Sequence, residues 1–175
     1  MAGLERGTVE LVPYRPEWKH QYEAEVERLA AIAGDSLHDF EHIGSTAIEG
    51  MAAKPVIDLL ALVDDGDETG KLIDLLETNG YEYRPGGDVR GRRFLAKGPR
   101  TNRTHYLSLC KRDSDFCREK LAFRDYLRTH PDVAAAYEAL KRDLAEQYPA
   151  DRATYTEQKG EFIEEILKRA LSTEK

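Results

Sequence analysis

Between Glu41 and Val63 the chain runs through the end of a strand, a Gly-Ser turn, a stretch of small residues and a second, apolar strand. No other stretch constrains the fold as tightly. The first strand, His38 to Ile43, ends in Gly44-Ser45. Glycine at that point lets a ligand come close to the backbone. Ser45 and the free N–H groups after it can hold a phosphate, above all if a short helix starts at Thr46. The second strand, Val56 to Val63, is apolar except for Asp58. A carboxylate inside such a run is costly unless a cation or a donor meets it. Asp58 therefore reads either as a metal or ligand group, or as a structural acid that caps backbone or pairs with Lys54.

Helical patterns flank this unit. Val9 to Val12 reads as a short edge strand, and Pro13 and Pro16 bracket a turn. Pro16 suits the first position of a helix. In that helix Trp18, Tyr22, Val26, Leu29 and Ala33 recur at steps of four and three and form one apolar face, ending near Gly34. Along the strand 38–43, alternation sets His38, Phe40 and His42 against Asp39, Glu41 and Ile43. Asp64-Asp65-Gly66-Asp67-Glu68 reads as a solvated loop and an acidic helix start, followed by the apolar face Leu72, Leu75 and Leu76 and a stop at Gly80.

Residues 81–110 read as strands, with turns at Pro85-Gly86-Gly87 and Gly98-Pro99. From Ser114 onwards the pattern is helical. Phe116, Phe123 and Leu127 share a face, Pro131 opens the next helix, and Thr154 with Glu157 forms a capping box for the last. Strands alternating with helices, then helices alone, predict an α/β (α+β) chain. A mixed β-sheet flanked by helices is expected over residues 1–112 and a helical C-terminal part over 113–175, with no linker long enough to separate them.

The formal net charge of -7 argues against a general nucleic-acid or anionic-membrane binder. Against that acidic background, Arg84 to His105 carries Arg84, Arg90, Arg92, Arg93, Lys97, Arg100 and Arg103 opposite a single acid, Asp88. The block reads either as a charged hairpin in water or as an anion pocket. In the second reading Arg93 and Lys97 share one strand face, and Arg103 shares a face with His105. Arginine's planar fork suits phosphate oxygens. Cys110 and Cys117 do not make a disulfide framework. No apolar stretch has the length of a membrane span, and Met1 to Arg6 lacks the apolar core of a signal peptide. A soluble cytoplasmic protein is expected.

The Gly-Ser turn followed by an acid on the next strand resembles the active-site motif of the nucleotidyltransferase fold of the DNA polymerase β type. More of the chain resembles a narrower family. Tyr14-Arg15-Pro16-Glu17-Trp18, His42 to Ala47, Ala53 to Asp58, Arg103-Thr104-His105, Phe123 to Arg128, Tyr137 to Lys141 and Tyr155 to Lys159 are similar, in this order, to the GrpB family. The resemblance covers nearly the whole chain. It implies a nucleotidyltransferase-like α/β domain with C-terminal helices, and relatives that occur fused to dephospho-CoA kinase. It implies magnesium held by acids on the strand after the turn. The superfamily strand usually continues acid, apolar residue, acid, whereas Leu60 stands here at the second acid's place. Many family members carry a second histidine where this chain has Ser108.

Asp58 is thus the candidate metal ligand and catalytic acid, and His105 a candidate general base near neutral pH. His42, Gly44, Ser45, Lys54, Arg93 and Arg103 are the candidate phosphate- or substrate-binding residues. Lys141, Tyr155 and Lys159 reach toward them from the helical side. The expected ligand is a nucleotide or another phosphorylated small molecule, with Mg²⁺, and the expected reaction is nucleotidyl transfer to a small acceptor. Two alternatives stand beside it. One is a non-catalytic module that binds a nucleotide or phosphorylated metabolite, which Leu60 favours. The other is an interaction domain related to those fused to dephospho-CoA kinase. The sequence leaves the oligomeric state open.

Overall fold

A computed structural model describes residues 10–64 and 69–172 of the chain. Five strands form one mixed sheet: β1 (His38–Ile43), β2 (Ile57–Leu62), β3 (Tyr81–Tyr83), β4 (Arg92–Lys97) and β5 (His105–Cys110), in the spatial order β1-β2-β5-β4-β3. Only the β2–β5 pair is parallel; the other three pairs are antiparallel. The helices are α1 (Glu17–Ala33), α2 (Thr69–Glu77), α3 (Asp115–Thr129), α4 (Pro131–Gln147) and α5 (Arg152–Ser172).

Side-chain alternation gives the sheet two faces with different jobs. Leu59, Ala61, Leu95, Leu107 and Leu109 point to one side and form the main core with Trp18 and Leu29 of α1 and Leu72, Ile73 and Leu76 of α2. The intervening residues point to the other side. There Leu60, Leu62 and Cys110 pack with Ile43, Cys117 and Phe116, which brings α3 onto the sheet. Ile48 and Met51, just after the Gly-Ser turn, pack with Leu127 of α3 and Tyr137 of α4. The C-terminal helices therefore lie over the turn.

The main core also encloses a charge cluster. Glu25 is 3% exposed. Its carboxylate meets the Lys97 Nζ at 2.7 Å and the Arg28 guanidinium, and accepts from the Tyr81 hydroxyl at 3.1 Å. A buried acid of this kind is tolerated only because its partners are complete.

Several expectations move by a few residues. Pro16 sits at the cap position, one residue before α1. The last helix is not capped by a Thr154–Glu157 box: Asp151 precedes it and accepts from the Thr154 N–H at 3.1 Å, leaving Thr154 inside the first turn. Val12 makes an isolated bridge with Ala53 rather than an edge strand, and Val9 lies outside the described residues, as do Asp65, Gly66, Asp67 and Glu68 of the acidic loop. Asp39 has φ 51 and shifts the β1–β2 register between His38 and Glu41. Phe40 still reaches the main core beyond this bulge.

Candidate functional site

Gly44 leaves β1 at φ 73, a conformation that favours glycine, and Ser45–Ala47 make a single 3-10 turn. Three residues build no useful helix dipole. Asp58, second residue of β2, packs directly against the Gly44 main chain. β2 alternation turns Asp58 toward α3 and α5, away from the main core.

Between the turn, the sheet and the C-terminal helices lies a cavity of about 350 Å³. Ser45 and Asp58 line it from the sheet side, Lys54 from the loop between them, Lys120 from α3, Lys141 from α4, and Arg152, Tyr155 and Lys159 from α5. Apolar residues, including Val56, Phe123 and Ile163, complete its wall. Lys141 is 2% exposed and donates to the Ser45 Oγ at 2.8 Å and to the Ala52 carbonyl at 2.9 Å. The Lys54 and Lys159 ammonium groups approach the Tyr155 ring, 5.4 and 4.8 Å from its centroid. Arg152 donates to the Tyr106 hydroxyl at 2.6 Å. The Tyr155 hydroxyl is buried and has no hydrogen-bond partner.

The charges are lopsided. Among the described residues, no ion pair involves Lys54, Lys120, Lys141, Arg152 or Lys159. Burial pushes Lys141 down to about 7 and Lys159 to about 8, with neighbouring cations adding to both shifts. Lys54 is pushed well below the ordinary lysine value by burial and then by Lys159 and Arg152. Burial raises Asp58, while Lys120, Lys54 and Arg92 pull it back. A site that depresses several lysines at once is short of negative charge.

The structure thus brings Gly44, Ser45, Lys54, Asp58, Lys141, Tyr155 and Lys159 together. It places the other candidates elsewhere. Arg93 and Lys97 do share a strand face, but it is the face of Leu95 and the main core. Arg93 is paired with Asp88 and the Tyr83 hydroxyl, and Lys97 with Glu25. Arg103 is buried against the Gly98 carbonyl and Glu82. The block is not a pocket at Ser45: Arg93, Lys97 and Arg103 pair with Asp88, Glu25 and Glu82, while Arg90, Arg93 and Arg100 remain exposed as the charged-hairpin reading expects. Arg92 turns to the site side, held between the Phe94 and Phe116 rings and donating to the Gly87 carbonyl at 2.5 Å.

The histidines are displaced as well. His105 lies on the main-core face, 3.9 Å from Glu25, and cannot act on a ligand held by Ser45 and Asp58. Burial holds its pKa down at about 4. The residue of β5 that lines the cavity is its neighbour, Tyr106. His42 stacks on Tyr22 with 4.6 Å between ring centroids, and its Nε2 is 2.9 Å from the Thr46 Oγ1. It opens onto a separate cavity of about 620 Å³ on the far side of the turn. Lys120 and Arg152 went unrecognised in the sequence. Arg152 carries a signal that could have found it: with Tyr155 and Lys159 it stands at i, i+3 and i+7, on one helix face.

The donor set does not fit a magnesium ion held by the protein. Asp58 is one carboxylate, Leu60 at the second position is fully buried and aliphatic, and Ser108, its neighbour across the β2–β5 pair, is no acid. No group of three or more His, Cys, Asp or Glu residues among the described residues is arranged to hold a metal. The charges nearest Asp58 are cations, which repel a divalent ion. No helix among the described residues is long and apolar enough to cross a membrane.

Residues 8–169 match the sequence family described as "GrpB protein". A glutamate-rich protein GrpB of Alkalihalophilus pseudofirmus is 36% identical over 95% of this chain and 98% of its own. A dephospho-CoA kinase of Mycolicibacterium paratuberculosis is 27% identical over 95% of this chain, which spans 47% of the kinase. Among solved structures, a conserved protein GrpB from Enterococcus faecalis superposes with a TM-score of 0.86 at 38% identity, over 94% of this chain and 98% of that one. The Cid1 poly(U) polymerase, in a crystal structure bound to MgATP, superposes with a TM-score of 0.53 at 11% identity, over 77% of this chain and 44% of that one. That likeness concerns the fold, which is nucleotidyltransferase-like.

Proposed function

The chain belongs to the GrpB family, and from that premise we propose that its cavity binds a nucleotide or another phosphorylated small molecule without needing magnesium. The observation that carries this reading is the excess of cations, none of them in an ion pair among the described residues, over the two acids that line the cavity, Asp58 and the exposed Glu119. Lys54, Lys120, Lys141, Arg152 and Lys159 converge on a space of about 350 Å³ in a protein of net charge -7. A phosphate chain supplies the missing negative charge and so offsets the burial, and the repulsion from neighbouring cations, that depress the lysines. In the nucleotidyltransferase fold, acids and their metal neutralise the phosphates. Here Leu60 and Ser108 leave that set short, and Lys120 of α3 with Arg152 and Lys159 of α5 takes over the neutralising. Phe123, Val56 and Ile163 offer apolar surface to the rest of the ligand.

The test is thermal denaturation with inorganic pyrophosphate, nucleoside triphosphates and phosphosugars, each with and without Mg²⁺. A ligand that binds only the folded state raises the melting temperature. The expected result is a rise with at least one polyphosphate that survives removal of Mg²⁺ by a chelator. A panel in which no phosphorylated compound shifts the melt, or every shift vanishes with the metal, rejects the proposal.

A further inference from the structure

We propose that Ser45 is a nucleophile, activated by Lys141, that attacks phosphorus in a phosphoanhydride and becomes the covalent acceptor of the transferred group. The choice of substrate class rests on the anion reading of the cavity; the serine–lysine pair stands on its own geometry. Ser45 is half-exposed and faces the cavity, while Lys141 behind it is 2% exposed. Their 2.8 Å contact is the distance a general base needs. The second contact of Lys141, to the Ala52 carbonyl, fixes the ammonium group in place without giving it a counterion.

The groups that face Lys141 make a neutral amine accessible. Lys159 on α5 and Arg142 on α4 disfavour its charge, while Glu138 on α4 opposes them, and burial outweighs each. Lys54 lies close enough to Lys141 for their charges to interact. Tyr137 on α4 bonds Ser45 from a second side, and burial keeps that phenol protonated. A lysine held near neutrality and hydrogen-bonded to a serine hydroxyl can take that hydroxyl's proton.

The step balances as follows. The Ser45 Oγ forms a bond to phosphorus as the bond from phosphorus to the bridging oxygen breaks. The Ser45 proton passes to the neutral Lys141 Nζ, and phosphate or pyrophosphate departs as the anion. The cations that bound the anhydride also stabilise the departing charge.

The experiment uses the full chain and a fluorophosphonate, in which Ser45 displaces fluoride from phosphorus. Adduct formation is followed by intact mass and the site is mapped by peptide sequencing. The expected result is one adduct, on Ser45. Its rate climbs with pH and levels off above a midpoint near 7, and inorganic pyrophosphate slows it. Lys141→Arg, which can donate to Ser45 but not take its proton, should lower the rate about a hundredfold. Circular dichroism shows whether that variant folds; if it does not, the pH profile of the unaltered protein decides. No adduct on Ser45, or a rate that keeps rising tenfold per pH unit through pH 9, overturns the nucleophile. A pyrophosphate-induced rise in melting temperature without labelling overturns it while leaving anion binding intact. Labelling that pyrophosphate neither slows nor accompanies with a thermal shift overturns the phosphoanhydride substrate and the anion reading together.

Discussion

A methyl group placed on Gly44 would stand 2.9 Å from the Asp58 Oδ2 and 3.0 Å from its Cβ. The turn that presents Ser45 and the acid of the next strand are therefore fitted to each other through the one side chain that is missing. Gly44→Ala meets both that contact and the left-handed backbone at φ 73. It should destabilise the protein by at least about 1 kcal/mol. Any ligand-induced thermal shift should shrink with it, as Asp58 or the turn is pushed aside. A variant that melts at the unaltered temperature would show that the turn relaxes freely.

Asp58→Asn separates charge from packing. It keeps the volume beside Gly44 and removes the one negative charge among Lys54, Lys120 and Lys159. With phosphates as the counter-charge, pyrophosphate affinity should hold or improve, with or without Mg²⁺. The ligand-free protein should become less stable as the cation repulsion grows. A tenfold or greater loss of affinity confined to Mg²⁺-containing buffer, about 1.4 kcal/mol, would instead identify Asp58 as a metal ligand.

Anion binding should be accompanied by proton uptake. In the free protein burial and then neighbouring cations hold Lys159 at about 8 and Lys54 well below the ordinary lysine value. Their folded values are depressed, so the stability they contribute is complete above the ordinary lysine value and is lost as pH falls toward about 8. A bound phosphate chain restores the charged forms. Calorimetric titration of pyrophosphate at pH 8 in buffers of different ionisation enthalpy should report protons taken up from solution. Uptake of zero would mean that these lysines are already fully charged.

The acid side of the stability profile has a different origin. His42 is buried and His105 nearly so, and burial holds both at about 4. Their depressed values mean that stability is complete above about 6.5 and declines as pH falls toward 4. Thermal melts at pH 7 and pH 5 should differ, and His42→Gln should flatten that slope. An unchanged slope would place the acid sensitivity elsewhere.

The Glu25 cluster predicts the largest structural loss. Glu25→Ala leaves Lys97 and Arg28 beside a fully buried core without their acid. The expected cost is about 1–3 kcal/mol, because the Lys97 and Arg28 side chains keep part of their exposure to water, read by urea denaturation. Lys97→Met together with Glu25→Leu should recover much of it, because removing both charges abolishes the burial penalty rather than exposing it.

The sheet, its helices and the Gly44–Ser45–Asp58 unit were legible because period and turn chemistry are local properties. Leu59 and Leu107 announce a buried strand wherever they stand in the fold. The arginine block misled for a reason that composition does not carry. A run of charges reads as one patch, yet in a strand every second residue goes to the opposite face, so Arg92 and Arg93 part company. The same parity exchanges His105 for Tyr106. Apart from Lys54, the cations that line the cavity with Ser45 come from three helices far along the chain. Lys120 looked like an ordinary surface lysine, and it is exposed; only the packing of α3 against β1 and α5 sets it at the cavity.

The cavity's two sides come from two distant lengths of chain. Ser45, Lys54 and Asp58 belong to the sheet layer, and Lys120, Lys141, Arg152 and Lys159 to helices that begin after residue 114. A phosphate chain lying between them touches both and fastens one layer to the other. Occupancy should then be visible well away from the ligand, as slower amide exchange along α5 and as resistance of the segment between β5 and α3 to protease. The ligand acts on this molecule as a reversible clasp.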